Sequence, residues 1–229
     1  MVSFWNDSWI NEVIMGISER RERERERRKK EIIDAAEKIF FKNGFENSSV
    51  EKVAKKAELS KATLYLYFKS KEELYFAVCQ RAEGKLYEEV DKTIAKVDGT
   101  FDKIKAFLNA FVEFQKKYPD HFDALFYLQT HPFSFDPNHE LVIENRRRDQ
   151  KYLNHWIELI EQGKKEGLIR ESLNPIHTVL LIWMQLSGFL KIMSVVQPHL
   201  EKDLTCSKDE LLEEYYNILF NGIRKNKNR

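Results

Sequence analysis

The pattern of apolar and polar positions predicts helices along almost the whole chain. Apolar residues recur every three or four positions, and no segment shows the alternation typical of a β-strand. Start and stop signals divide the pattern: Gly44 is predicted to end the first long helix, and Ser70 and Ser207 open capping boxes. Later helices are predicted at residues 100–118, 119–130, 139–166, 176–196 and 207–224, and Asn174 and Pro175 are predicted to cap and start the fourth of these. We therefore expect an all-α fold.

Two short predicted helices near the N-terminus are the most informative feature. The first follows a capping box of Ser48 and Glu51, and the second begins at Ser60. Helices this short persist only when they pack on neighbours at a fixed angle. A helix-turn-helix does this, and it presents its second helix to the major groove of DNA. The long helix that starts at Ser70 would complete the module.

The same residues resemble the signature of the TetR family of bacterial transcriptional repressors, over roughly residues 32 to 78. Two positions depart from the family pattern. Glu58 stands where a turn glycine is common, and Ala62 stands where the recognition helix often starts with glycine. The resemblance is carried by Ser49-Val50, Val53-Ala54, Ala57, Leu59 to Tyr65, Tyr67-Phe68 and Lys71 to Leu74.

The resemblance implies DNA contacts on and around the second short helix. Lysine ammonium and tyrosine or serine hydroxyl groups bind phosphates, whereas the exposed helix face reads base edges. By contrast, Leu64 and Phe68 are expected in the core. The predicted DNA-contacting residues are Ser49, Ser60, Lys61, Ala62, Thr63, Tyr65, Leu66, Tyr67 and Lys71.

A run of alternating charges, ERRERERERRKK, precedes the module at residues 19–30. It is either a solvated helix with internal Glu–Arg pairs or a backbone-binding stretch whose arginines, Arg25 and Arg28 among them, contact DNA, and both can hold. The charge distribution agrees with a nucleic-acid surface at this end. Residues 19–80 hold 16 Lys and Arg against 12 Asp and Glu, while residues 81–229 hold 22 against 23.

The aromatic-rich, nearly neutral C-terminal part is larger than a dimer clamp requires. The resemblance implies a ligand cavity there, although such residues are more often plain core. A small hydrophobic effector would then oppose DNA binding and release a repressor from its operator. The alternative is a DNA-bound regulator whose body recruits a protein partner and binds no small ligand. Candidate ligand-binding residues are Phe107, Phe111, Phe114, Phe126, Tyr127, Trp156, Trp183 and Met184.

The most apolar segment, Ile176 to Val196, is interrupted by Gln185 and Lys191 and is too short without charges to span a membrane. We interpret it as a buried helix. One side would face its own core and the other a second copy, so that a homodimer reads a palindromic operator, whereas a monomer would bury the helix alone. The predicted dimer interface comprises Ile182, Leu186, Phe189, Met193, Leu212, Tyr215 and Leu219.

The predicted organisation is an apolar N-terminal extension (1–18), a three-helix helix-turn-helix DNA-binding domain (19–78) and a larger helical effector-binding and dimerisation domain (79–229). The apolar stripe of the extension is expected to dock on the body or on a partner subunit, and the alternatives are that it lies on a membrane surface or is disordered. It contains Phe4, Trp5, Trp9, Ile10, Val13, Ile14 and Ile17.

Several other function classes lack support in the sequence. Two distant cysteines suggest neither a disulfide framework nor a zinc site, and the spacing of His121, His131 and His139 fits no common metal pattern. No nucleophile elbow or HExxH motif is present, so we expect no enzyme, no metal and no cofactor. The N-terminus does not resemble a secretory signal, and we expect a cytoplasmic protein without a membrane partner.

Overall fold

The computed structural model describes residues 4–136, 138–203 and 207–225, with side chains from residue 17 onward except at 198, 199, 201 and 203. The part of the chain described in this way is helical apart from its connections and one isolated bridge between Ile169 and Arg224, which confirms the all-α prediction. The helices are α1 (Phe4–Asn43), α2 (Val50–Lys56), α3 (Lys61–Tyr65), α4 (Lys71–Ile94), α5 (Thr100–Lys117), α6 (Pro119–Thr130), α7 (Glu140–Lys165), α8 (Pro175–Asp203) and α9 (Lys208–Ile223).

The chain divides into a first unit, Met1–Cys79, and a second unit, Gln80–Arg229. Helix α4 begins in the first unit and continues into the second. Helix α1 is continuous from Phe4, so residues 4–18 and the charged run belong to one helix. The predicted apolar stripe of the extension lies outside the described side chains except for Ile17, which is 48% exposed.

The first unit has a small core in which α1, α2 and α3 pack together. Ile32 of α1, Val53 of α2, Leu64 of α3 and Leu74 of α4 are fully buried there. At the end of α1, Gly44 adopts the predicted left-handed conformation with φ +74°. This turn lets the following chain fold back, as Phe45 is buried and its ring meets that of Tyr75 at 5.0 Å.

The cap of α2 differs from the prediction. Ser48 is buried, and its hydroxyl donates to the carbonyl oxygens of Gly44 at 2.6 Å and Ile39 at 3.3 Å, at the end of α1. The next residue, Ser49, caps α2 instead, because its side chain accepts from the Lys52 amide at 3.3 Å. Sequence alone could not distinguish two adjacent serines, since either hydroxyl can cap a helix.

The second unit is a bundle in which α5 packs against α6, α7 and α8, and α8 also packs against α6, α7 and α9. Its centre is apolar, with Leu108, Phe114, Ile160 and Leu190 fully buried. Pro175 starts α8 with Asn174 as its cap, and α9 begins with the capping box of Ser207 and Glu210, both as predicted. Cys79 is buried and free, and Cys206 lies outside the described residues.

Helix α8 is buried on one side only in the single chain, and the prediction that its other side faces a second copy stays a prediction. It is the one helix of the described chain long and apolar enough to cross a membrane, and 28% of its apolar stretch is buried. Length and composition alone are weak support for a membrane segment, because core helices share them. Its large exposed apolar side chains are Ile176, Leu180, Leu181, Met184, Ile192 and Val195.

Polar side chains line the contact between α4 and α7, which we call the polar seam. Arg148 donates to the Glu83 carboxylate at 2.7 Å, and the Tyr87 hydroxyl donates to the Asp149 carboxylate at 3.0 Å. The rings of Tyr87 and Tyr152 stack at 3.6 Å. Burial raises the pKa of Glu83 to about 7, with the nearby Asp149 charge adding to the effect and Arg148 opposing it.

Candidate nucleic-acid interface

Helix α3 is held by one buried residue and one cap. Leu64 is fully buried, whereas Leu66, just past the helix, is 70% exposed. The Ser60 side chain accepts from the Thr63 amide at 3.0 Å, and the hydroxyls of Ser60 and Thr63 lie 2.8 Å apart. Lys61 and Ala62 are exposed, and Thr63 is half-buried. The helix therefore turns one side into the core and offers the other to a partner.

The turn before α3 contains Glu58, whose φ of 57° is the one positive value of a non-glycine residue in the described chain. The family pattern commonly has glycine at this position. An L-residue with a side chain pays about 1–2 kcal/mol in this left-handed region because its Cβ approaches the neighbouring carbonyl. The turn between α2 and α3 is therefore a site of backbone strain.

We expect Glu58→Gly to stabilise the protein by about 1 kcal/mol, since glycine adopts positive φ without the Cβ clash. Glu58→Ala is the matched control, because it removes the same carboxylate but keeps the Cβ. Thermal unfolding followed by circular dichroism should show a rise of about 2–4 °C for the glycine variant only. An equal rise for both variants would attribute the gain to charge instead of backbone strain.

The ammonium of Lys61 is engaged in the free protein. It forms an ion pair and hydrogen bond with Glu51 of α2, and both side chains are more than half exposed. This contact lowers the pKa of the Glu51 carboxyl to about 2 and raises the pKa of Lys61. If Lys61 contacts DNA as predicted, it must first leave Glu51.

Lys71 has a structural role that the sequence did not reveal. Its ammonium donates to the carbonyl oxygens of Phe45 at 3.0 Å and Ser48 at 3.3 Å, and it lies 4.0 Å from the centre of the Phe45 ring. Lys71 therefore holds the connection between α1 and α2, and its phosphate contact stays a prediction. The other predicted phosphate-binding residues, Ser49, Tyr65 and Tyr67, are half-buried.

The arginines of α1 fall into two groups. Arg28, predicted to contact DNA, is paired with Glu31 at 2.9 Å and Glu24 at 3.6 Å. Arg25 makes no ion pair within the described chain, and neither do Arg20 and Arg21. For Arg25 the sequence already indicates the lack of an i,i+4 ion pair, because the residues four positions away are Arg21 and Lys29, both basic.

The three unpaired arginines share a surface groove with the end of α3. This basic groove has a volume of about 700 Å³ and is lined by Arg20, Arg21 and Arg25 together with Leu66 and Tyr67. Ile17 and Glu24 complete its wall. Arg20 and Arg21 belong to the charged run whose arginines were predicted to contact the DNA backbone, but the sequence does not show which of these arginines face the end of α3.

The predicted ligand-binding residues of the second unit differ in burial, and three of them are seen in contact with one another. Phe107 meets Trp156 at 4.2 Å and Phe111 at 5.6 Å between ring centres, so these three are together. Phe111, Phe114 and Trp156 are buried, while Phe126, Tyr127 and Trp183 are half-buried. Met184 is 50% exposed on α8, and the ligand-binding role of these residues stays a prediction.

The predicted dimer interface also requires correction. Ile182, Leu186, Met193 and Leu219 are buried inside the single chain and belong to its core. Phe189, Leu212 and Tyr215 are half-buried, and the rings of Phe189 and Tyr215 stack at 5.6 Å. Because α8 is apolar around most of its circumference, its sequence could not show which side faces outward.

In the described chain, no group of three or more His, Cys, Asp and Glu residues could hold a metal.

Comparison with known proteins agrees with this geometry. Residues 32–78 match the bacterial regulatory proteins of the tetR family. The chain is 28% identical to the fatty acid metabolism regulator protein of Bacillus subtilis (strain 168) over 151 residues, which are 63% of this chain and 72% of that protein. It is 31% identical to YhgD, an uncharacterized HTH-type transcriptional regulator of the same strain, over 153 residues, 62% of this chain and 72% of YhgD.

The fold is also shared with solved structures. The chain resembles FadR of Bacillus subtilis, solved in complex with stearoyl-CoA, with a TM-score of 0.60 and 22% identity, covering 84% of this chain and 98% of FadR. At this identity the likeness shows the fold alone. The identity to YhgD and the match of the helix-turn-helix place the chain in the TetR family of bacterial transcription regulators, which are not enzymes.

Proposed function

We propose that the chain is a homodimeric repressor that binds a palindromic DNA operator and is released by a hydrophobic effector, with residues 19–78 as its DNA-binding domain and residues 79–229 as its effector-binding and dimerisation domain. The observation that carries the proposal is helix α3. Its Leu64 is anchored in the core, whereas Lys61, Ala62 and Leu66 are exposed on the side that would enter the major groove.

Dimerisation is supported by the exposed apolar side of α8. Leu181, Met184 and Val195 lie on this side at 52%, 50% and 65% exposure, and Ile218 of α9 is 66% exposed. Large apolar side chains clustered on one surface mark an interface. A Cβ placed on Gly188, in the same helix, would meet no atom within 4 Å, so a second helix has room to approach there.

Both the sequence and the relatives support a class of effector. The aromatic contacts of Phe107, Phe111 and Trp156 make the second unit suited to an apolar chain. One relative is a regulator of fatty acid metabolism, and a protein of the same fold was solved with stearoyl-CoA. We therefore propose a fatty acyl group, carried as a thioester or as a free acid, as the effector.

The proposed coupling uses α4, the helix that belongs to both units. An effector that prefers one arrangement of the second unit would shift α4, and the two copies of α3 would no longer match successive major grooves. A coupling free energy of about 1–3 kcal/mol is enough to change operator affinity 5-fold to 150-fold. The same linkage requires DNA to weaken effector binding equally.

The test begins with selection of duplexes from a random pool by the full-length protein. We expect enrichment of a palindromic site and its release by stearoyl-CoA at concentrations where coenzyme A alone has no effect. A pool without enrichment would overturn the DNA-binding proposal. An enriched site that no acyl-CoA or fatty acid releases would overturn the effector proposal alone and favour a body that recruits a protein partner.

Met184→Arg tests the dimer. We expect wild-type protein to have twice the 27.4 kDa mass of the chain in solution and the variant to be monomeric, because the new charge would be buried in the interface. Ile143→Arg, at another exposed apolar position (42% exposed), is the control and should stay dimeric. Light scattering after gel filtration measures both masses. Dimeric Met184→Arg protein would place the interface elsewhere.

A further inference from the structure

We propose that the basic groove binds the phosphate backbone of DNA that flanks the segment read by α3, so that each subunit protects more DNA than its recognition helix covers. This inference rests on the proposed function and deepens it, because it assigns a second, sequence-independent contact to the same interface. The side chains that act are Arg20, Arg21 and Arg25 of α1 and Tyr67 after α3.

The first argument is uncompensated charge. The other arginines of the run are neutralised within the helix: Arg23 by Glu19 at 3.5 Å and Arg27 by Glu31 at 3.0 Å. Glu24 also lines the groove, but Arg27 and Arg28 bind its carboxylate. The three groove arginines form no ion pair in the described chain, although the charge of Arg20 helps to lower the pKa of Glu24, so their guanidinium groups remain available to an anion.

The second argument is position. Leu66 and Tyr67 follow the last turn of α3 and line the same groove as the arginines. A helix inside the major groove lies between two sugar-phosphate strands, and this groove is about 12 Å wide. A basic surface at the end of that helix therefore meets one of the two strands. The Tyr67 hydroxyl has no protein partner in the described chain and can donate to a phosphate.

The third argument is spacing. From Arg20 to Arg25 the helix rises about 7.5 Å, at 1.5 Å per residue. A single DNA strand carries one phosphate per about 3.4 Å of helix axis, so the arginines extend over roughly two phosphate steps. Two or three phosphates on each side of the operator can thus be neutralised. Arginine suits this task because its planar group binds phosphate through two parallel hydrogen bonds.

The test compares two triple variants that remove equal charge from the same helix. Arg20→Gln, Arg21→Gln and Arg25→Gln empty the groove, whereas Arg23→Gln, Arg27→Gln and Lys29→Gln remove paired charges. Glutamine keeps helix propensity, and circular dichroism verifies that both variants stay helical. The probe is the selected duplex in two lengths, trimmed to the enriched site or extended by ten base pairs of random sequence on each side.

We expect the affinity of the groove variant for the extended duplex to be at least about tenfold lower than that of wild type. The slope of log affinity against log salt concentration should become shallower by about 0.9 for each lost phosphate contact. The control variant should stay close to wild type. Hydroxyl-radical footprints should shorten by a few nucleotides on each side for the groove variant only, while binding to the trimmed duplex should differ much less.

Equal losses in both variants would show that general charge attracts DNA and would overturn the inference. Unchanged footprints and salt dependence in the groove variant would overturn it as well, while wild-type binding to the selected site would leave the proposed function standing. Wild-type protein that retains no duplex from the pool would overturn the proposed function and this inference together.

Discussion

Leu64→Ala is expected to lower the free energy of unfolding of the first unit by about 2–5 kcal/mol, because Leu64 is fully buried and its loss leaves a cavity. It is the one buried residue of α3, a helix of five residues that cannot persist without tertiary contacts. The variant should therefore lose sequence-specific DNA binding along with stability. Amide hydrogen exchange of residues 50–66 should accelerate strongly, while exchange in the second unit stays unchanged.

Leu66→Ala is the matched control for that experiment. It makes the same substitution two residues later, at a side chain that is 70% exposed. Stability should change by less than about 0.5 kcal/mol, as is usual for surface positions. Any loss of DNA affinity in this variant then reports a contact with DNA, since packing is preserved. If both variants destabilise the first unit equally, α3 is not oriented as the structure shows.

The polar seam is expected to make the protein less stable as the pH rises, which is the opposite of what an ion-paired glutamate does. The pKa of Glu83 is raised from 4.5 to about 7, chiefly by burial, so the folded chain keeps a proton that the unfolded chain has already lost. Its contribution to stability is present below about pH 4.5 and is lost as the pH rises through 7. At 1.36 kcal/mol per pKa unit, the change amounts to about 3 kcal/mol.

Glu83→Gln should remove this loss, because the amide is neutral at every pH and can still accept from Arg148. We expect the variant to match wild type near pH 4.5 and to exceed it by about 3 kcal/mol at pH 8. Urea unfolding followed by circular dichroism between these limits measures the difference. A constant difference across the range would mean that Glu83 is ionised throughout in the folded chain.

Glu89→Gln, on the same helix, should behave in the opposite way. The ion pair with Lys117 at 2.9 Å lowers the pKa of Glu89. Its contribution to stability is therefore present above the unfolded pKa and lost as the pH falls. The glutamine variant should be less stable than wild type at neutral pH and equal to it in acid. Opposite pH dependences of stability for these two glutamates, six positions apart, would distinguish burial from ion pairing as the cause of each pKa shift.

The predictable part of the fold was the part governed by local rules. Gly44, Asn174 and the Ser207 capping box set helix ends where the structure has them, because each acts on backbone groups within a few residues. The module at residues 32–78 was recognisable because its short helices and turn follow one another without a gap. Even there, the choice between Ser48 and Ser49 required knowing which hydroxyl was buried.

The less predictable part depended on which neighbour a side chain meets in space. Lys71 bonds to carbonyl oxygens 23 and 26 residues away, and Glu83 meets an arginine 65 residues away, so neither contact leaves a trace in local spacing. The outward side of α8 was also hidden, since Ile182 and Met184 are both apolar and only packing makes one buried and the other exposed. Long-range contacts decided these cases.

The bond between Lys61 and Glu51 has a consequence for how the protein would search a chromosome. When Lys61 turns to a base edge, it leaves the Glu51 carboxylate without its partner beside the negatively charged duplex, and at neutral pH this carboxylate is ionised even at its ordinary pKa of 4.5. Random sequence offers no compensation for that repulsion, whereas a guanine at the right step does. The pair would thus shorten each visit to incorrect sites and leave the lifetime on the correct site largely intact, which favours rapid scanning.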